Sequence, residues 1–356
     1  MKKIVRFSFT IIFLTVLFCS HLLSQTIEDE IAGIDNSQPT VTNSGSERGT
    51  SDIPSGGLLL IPESSNDRVM AFDPTTGDLI NADFIPSDPT NLNTPIQVIL
   101  NHDGTGFLVS DQLNDVVQEY DLDGNYVGVF APAGGVNINI INNPRGICLR
   151  PNGNLLVTLG STANAGSAIE FDTDGNYQGV FLPGQGTSSF DVIRLADDSY
   201  MMGEINADAI YRYDASGGFT GTFTSINTFP EQLYQTSGGN ILVGNFSGTE
   251  EGVVEYNSTG SQIGIYDPPT VGANRGAYEL GNGNILTTNG NGVHEIDRNG
   301  NLVETKISGV SARFITHVEE TQPVPFSPWV IPLIIVAIIL AILSSYRLFY
   351  KRMKKA

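Results

Sequence analysis

Arg145, Glu231, Arg275 and Arg313 occupy the same place in four copies of a repeating unit. This is the position just inside the unit's first turn, which Ile96 and Phe190 hold in the other two copies. Guanidiniums grip carboxylates and other oxyanions through paired, planar hydrogen bonds. Three of them beside one carboxylate are therefore expected to hold a small anion wherever the units bring them together. Asp111, Glu204, Asn245 and Asn289 form a second set, four residues along the second strand, where other copies carry Pro62 (followed by Glu63) and Leu159. Hard oxygen donors arriving from four units suit Ca²⁺. The alternative is that they fix tight turns by pairing with neighbouring backbone, or with the three arginines.

Other chemistries are thinly provided. Beyond the N-terminal segment the histidines are His102, His294 and His317, and only His317 falls on an expected inner strand. Gly-x-Ser-x-Gly, His-Glu-x-x-His and phosphate-cradling Gly-rich signatures are absent, so a Ser/His triad has no support. Cys148 sits in the apolar stretch 146–149 with no histidine nearby in sequence, and reads as a small buried hydrophobe rather than a nucleophile. The other cysteine, Cys19, lies in the N-terminal segment, so no disulfide is expected within the folded region.

Both sets presuppose a repeat, and the repeat is visible. An aromatic-Asp pair with Gly three residues later recurs as Tyr120-Asp121 with Gly124, Phe171-Asp172 with Gly175, and Tyr213-Asp214 with Gly217. Looser copies at Phe72-Asp73, Tyr256-Asn257 and Ile296-Asp297 complete six units at steps of 48, 51, 42, 43 and 40 residues. Each unit reads as four short strands separated by turn residues. In the third unit the strands are 144–149, 155–158, 168–171 and 177–181, and in the fifth they are 232–235, 240–244, 253–256 and 262–266. Four antiparallel strands in some forty residues make a propeller blade, and six blades make an all-β, six-bladed β-propeller over 56–319. The first unit begins with second-strand sequence at Leu58. The stretch 312–318 looks like a first strand and is expected to complete the first blade, closing the ring and removing its exposed edges.

The run Ser110-Asp111-Gln112-Leu113-Asn114-Asp115-Val116, continued through Asp121-Leu122-Asp123-Gly124, resembles an NHL repeat. More widely the chain is similar to six-bladed propellers of the NHL, SMP-30/gluconolactonase and streptogramin-lyase groups. The lactonase resemblance implies a metal held by Asp, Glu and Asn around the channel. It supports an alternative function as a Ca²⁺-dependent hydrolase or lactonase, in which the ion polarises an ester carbonyl and Glu63 or Glu204 helps deliver water. The streptogramin-lyase resemblance implies histidine-assisted elimination, for which the paired histidines are missing.

The ends and the charge place the chain. Residues 1–24, with Lys2, Lys3 and Arg6 before an apolar run, read as a secretory signal peptide, and 25–55 as a flexible leader. A tether at 320–328 with Pro323, Pro325 and Pro328 precedes an expected transmembrane helix at 329–350 and a basic tail at 351–356. The basic end orients the C-terminus to the cytoplasm and the propeller outside, or on the cell surface if a C-terminal sorting protease processes the tail. All 38 acidic residues lie in 25–328 against nine arginines and Lys306. That balance excludes nucleic acid as a partner. The expected role is an extracytoplasmic, membrane-tethered recognition module for a protein, a glycan or a small anionic ligand. A purely structural surface protein is the further alternative.

Overall fold

The computed structural model describes residues 53–319, apart from 55, 162 and 163. The expected signal peptide, tether, transmembrane helix and basic tail, and all but the end of the leader, lie outside the described residues. Twenty-four strands form six four-stranded antiparallel sheets, with no helix among the described residues. The first blade holds β1 (Leu58–Glu63), β2 (Arg68–Phe72) and β3 (Leu79–Ile85). The second holds β4 (Pro95–Leu100), β5 (Gly106–Asp111), β6 (Val116–Asp121) and β7 (Tyr126–Ala131). The third holds β8 (Pro144–Leu149), β9 (Leu155–Leu159), β10 (Ala168–Phe171) and β11 (Tyr177–Leu182). The fourth holds β12 (Ser189–Arg194), β13 (Tyr200–Glu204), β14 (Ala209–Tyr213) and β15 (Phe219–Ser225). The fifth holds β16 (Pro230–Gln235), β17 (Ile241–Asn245), β18 (Gly252–Tyr256) and β19 (Gln262–Tyr266). The sixth holds β20 (Ala277–Glu279), β21 (Ile285–Asn289), β22 (Gly292–Ile296) and β23 (Leu302–Ser308), and β24 (Thr316–Val318) returns to the first. The architecture is the six-bladed propeller expected from the repeat.

The repeat signature has a local cause. The aromatic residues Tyr120, Phe171 and Tyr213 are buried between sheets. The Asp that follows caps the turn after the third strand: Asp121 Oδ1 accepts the N–H groups of Asp123 and Asn125, and Asp172 Oδ1 those of Asp174 and Asn176. Gly124 and Gly175 then take φ values of 78° and 77°, where a side chain would be strained. The core lies between blades. On β1, Leu58 and Leu60 pack with Val98 and Phe107 of the second blade. Leu59 and Ile61, pointing the other way, pack with Leu280 and Leu286 in the sixth blade region. Cys148, expected as a small buried hydrophobe, is half-buried against a similar cluster, and burial pushes its thiol up to about 12.

Closure differs in detail from the expected strand over 312–318. β24 pairs with β1 only through Leu58↔Val318, Leu59↔His317 and Leu60↔Thr316, with an isolated bridge from Glu63 to Ala312. The ladder breaks where the second to fifth blades also shift register, and Pro62 has no N–H to donate there. Its carbonyl still accepts the N–H of Arg313, while the N–H groups of Phe314 and Ile315 turn inward to the Ile96 carbonyl and the Gln232 side chain. On the outer side of the same seam Lys306 lies 2.8 Å from Asp78, joining the sixth blade to the first.

Candidate functional site at the channel mouth

The inner strands begin with register shifts, between Pro95 and Gln97, Pro144 and Ile147, Ser189 and Val192, and Pro230 and Leu233. A bulge of this kind re-aims the side chain it carries. Here it takes the expected position out of the blade-to-blade packing and toward the axis. Ile96, Phe190 and Phe314, from three blades, form one buried cluster there, with the Phe190 and Phe314 rings 5.8 Å apart.

Around this plug stand the four residues expected to bind a ligand. Each arginine leans over a small residue at the end of its own blade's second strand. A Cβ on Gly160 would stand 2.5 Å from Arg145 Nη2, one on Gly290 3.5 Å from Arg275 Nη2, and Ser64 Oγ accepts Arg313 Nε at 3.0 Å. Arg145 is held most firmly, donating to Asn143 Oδ1 at 2.9 Å, Ser188 Oγ at 2.9 Å and the Ser189 carbonyl at 3.0 Å. Arg275 donates through Nη1 to Ser311 Oγ at 2.9 Å, but its buried Nε has no partner. Among the described residues Arg313 makes its hydrogen bond through Nε alone.

Glu231 is 3% exposed, and its Oε2 is buried without a hydrogen-bond partner. Burial pushes its carboxyl up to about 7, and the positive charges of Arg275, Arg313 and Arg145 offset this only in part. Burial likewise brings Arg145 and Arg313 down to about 10, the neighbouring Arg275 adding to the effect on Arg313. The structure therefore brings all three arginines within electrostatic reach of Glu231, and Arg275 within reach of Arg313. No ion pair between them forms among the described residues.

The sequence reading missed an aromatic wall at the same mouth. Arg145 stacks over Phe190 at 4.4 Å, and Phe190 meets Phe229 at 5.6 Å. Phe229 meets Phe246 at 5.4 Å, and Arg275 lies 5.6 Å from the Phe246 centroid. Phe229 and Phe246 are only half-buried. A signal for Phe229 was present: it fills the left-handed position before strand one, with φ of 67°, where other blades place Thr94, Asn143 or Ala273.

The second expected set is placed differently. Asp111 accepts the N–H of Asn93 on Oδ1 and the side-chain amides of Asn114 and Gln118 on Oδ2, and burial raises it to about 6. Glu204 accepts the N–H groups of Thr187 and Ser188 on Oε1 and of Ala207 on Oε2. Asn245 donates to the carbonyls of Asn227, Ser247 and Glu250, and Asn289 to those of Val271 and Gly272. Glu63 does the same work in the first blade, accepting from Ser65, Asn66, Arg68 and Ser311.

Each residue thus pins its own blade's loops, which is the turn-fixing alternative of the sequence analysis. The donor set does not fit a shared Ca²⁺, because both carboxylates and Asn289 Oδ1 are already engaged by hydrogen-bond donors. Asn245 Oδ1 is buried without a partner, but one oxygen is no coordination shell. Among the described residues no group of three or more His, Cys, Asp and Glu side chains is disposed to hold a metal ion.

A six-bladed propeller with a basic, aromatic-edged mouth is the class that fold and site define. No family model matches the chain, and no curated protein matches it in sequence. Among solved structures, a chain of a nidogen/laminin complex is similar with a TM-score of 0.57 at 13% identity, over 74% of this chain and 98% of that one. A protein of unknown function from Bacteroides caccae has a TM-score of 0.54 at 14% identity, over 74% and 99% of the two chains. A gluconolactonase-like protein has 0.53 at 15% identity, over 73% and 88%. At these identities the likeness shows the fold, which is the one the NHL and gluconolactonase resemblance implied.

Proposed function

We propose that the chain is a recognition module, a membrane-tethered propeller outside the cytoplasm that takes an anionic group at its channel mouth. The observation that carries this reading is the charge arrangement: three half-buried or buried guanidiniums lie within electrostatic reach of one buried carboxylate, and Glu231 Oε2 and Arg275 Nε are left without partners. Partly desolvated cations attract an oxyanion more strongly than exposed ones do. The contrast with an otherwise strongly acidic chain adds selectivity, because anions are repelled elsewhere on the surface. The anionic group belongs to a free small acid, an acidic glycan or an acidic protein segment.

The hydrolase alternative is not favoured. Its expected metal ligands are engaged in turn fixing, and the histidine that is well buried, His294, has both ring nitrogens engaged, by Asn289 and Thr305.

Equilibrium binding of acetate, sulfate and phosphate to the full-length chain tests the reading. Saturable binding of at least one anion, lost in the double variant Arg275→Met with Arg313→Met, is the expected result. Binding of none, or binding indifferent to those substitutions, overturns it.

A further inference from the structure

We infer that the ligand is a small aromatic carboxylic acid, its carboxylate held by Arg275 and Arg313 and its ring laid against Phe229 and Phe246. This rests on the anion-binding reading above and narrows it. The two guanidiniums named are the ones with donors to spare. Arg313 is anchored through Nε to Ser64, with no further hydrogen bond from its guanidinium among the described residues, and Arg275 uses Nη1 on Ser311 and keeps Nη2 over the small Gly290. A carboxylate suits two such guanidiniums as a planar, two-oxygen acceptor.

The apolar half of the site adjoins the basic half. Phe246 sits 5.6 Å from the Arg275 guanidinium carbon and 5.4 Å from Phe229, in a tilted pair, and half-buried Ile205 extends the wall. Ring faces left half-open beside a cation are suited to a second ring, which gains offset or edge-on aromatic contact there. The backbone reports the same place. Thr228 and Phe229 are consecutive left-handed residues, at φ of 56° and 67°, and a bulky residue in that region is strained. The corresponding positions elsewhere hold Thr94, Asn143 and Ala273, so the fold does not itself demand an aromatic there.

Glu231 adds the last element of specificity. Its Oε2 is buried and unpartnered close to the arginines, so a hydroxyl or amine on the ligand ring finds an acceptor there.

The test is calorimetric titration of the full-length chain in detergent with benzoate, 4-hydroxybenzoate, cyclohexanecarboxylate, acetate and phosphate. The wild type is compared with Phe246→Leu, Phe229→Leu and the Arg275→Met/Arg313→Met double variant, each checked to melt within a few degrees of wild type. The expected result is that benzoate or 4-hydroxybenzoate binds about tenfold or more tighter than acetate, the worth of one aromatic contact. Either leucine variant that passes the melting check then erases most of that margin, and the arginine pair erases all binding. If acetate binds as well as benzoate, or cyclohexanecarboxylate as well as benzoate, and both depend on the arginines, the aromatic class is wrong while the anion reading stands. Tighter binding of phosphate than of any carboxylate has the same consequence. If no probe binds, or binding ignores the arginines, both fall.

Discussion

Gln232 Oε1 accepts the backbone N–H of Ile315 at 2.9 Å, while its Nε2 donates to the carbonyl of the same residue at 2.6 Å. The same Oε1 also accepts the N–H of Ala277 at 3.2 Å. One side chain of the fifth blade thus supplies the pairing that the short β20 and the broken closing strand lack. Gly276 makes room for it, since a Cβ there would stand 3.0 Å from Gln232 Oε1.

Replacing Gln232 with Leu should therefore be costly beyond the hydrogen bonds themselves. Three buried backbone groups lose their partner, and an unsatisfied buried group costs about 1–3 kcal/mol. A loss of roughly 3–9 kcal/mol, without change of fold, is expected in urea unfolding. A chain ending at Gly309 should fare worse and aggregate, because the edge of β1 that β24 covers is then bare. Cooperative melting of that shortened chain at the full-length temperature would show that closure by β24 is not required.

The blades and their order were legible because they are written in local chemistry. Tyr120, Asp121 and Gly124 each act within a few residues of one another, so their spacing alone reports the turn and the buried face. The positions of Arg145, Glu231, Arg275 and Arg313 were legible for the same reason, as one place in a repeat. The roles of Asp111 and Glu204 were not settled by type, because an oxygen that holds an ion and one that accepts backbone N–H groups look alike in sequence. The N–H groups in question belong to Asn93, Thr187 and Ser188, 16 to 18 residues earlier in the chain. Phe246 was missed because its partner Arg275 lies in the next blade.

Asp191 gives the fold a testable pH dependence. Its carboxyl accepts the N–H groups of Val192 and Leu233, both at 2.8 Å, yet burial with no cation beside it raises it to about 7. An unfolded Asp titrates near about 3.9. Below about pH 4 both states hold the proton and nothing is lost. Between about pH 4 and 7 the folded state keeps a proton that the unfolded state has released, so stability falls as pH rises, by up to about 1.4 kcal/mol per pH unit for one such group. Glu231 and Asp111 act in the same sense. The difference between wild type and Asp191→Asn isolates the one residue. In urea titrations at pH 5, 6 and 7 the wild type should lose stability more steeply than the variant. Parallel lines would mean that Asp191 ionises in the fold as freely as in the unfolded chain.

Ca²⁺ and Glu204 can be separated by one substitution. If Glu204 is a turn clamp, Glu204→Gln leaves only one acceptor oxygen for the N–H groups of Thr187, Ser188 and Ala207, and turns an N–H₂ group toward at least one of them. A loss of about 2–4 kcal/mol is expected, of the size that follows from breaking a charge-assisted bond and stranding a buried donor. It should be the same in EDTA as in millimolar Ca²⁺, and wild type should show no Ca²⁺-dependent rise in melting temperature. A rise that Glu204→Gln removes would restore the shared ion site.

The proposed topology rests on the termini and is tested on whole cells. With the charge excess at 347–355 holding the C-terminus inside, a protease applied outside spheroplasts should cut the proline-rich 320–328 segment and release the propeller. The released domain should itself resist further digestion, because its strands are paired within six blades packed on one another and its loops are pinned by residues such as Glu63 and Glu204. A reporter fused after Ala356 should stay inaccessible in the same cells. Its digestion on a chain whose tail is intact would reverse the orientation. The channel mouth would then face the cytoplasm, and its anionic ligand would have to be sought among intracellular acids.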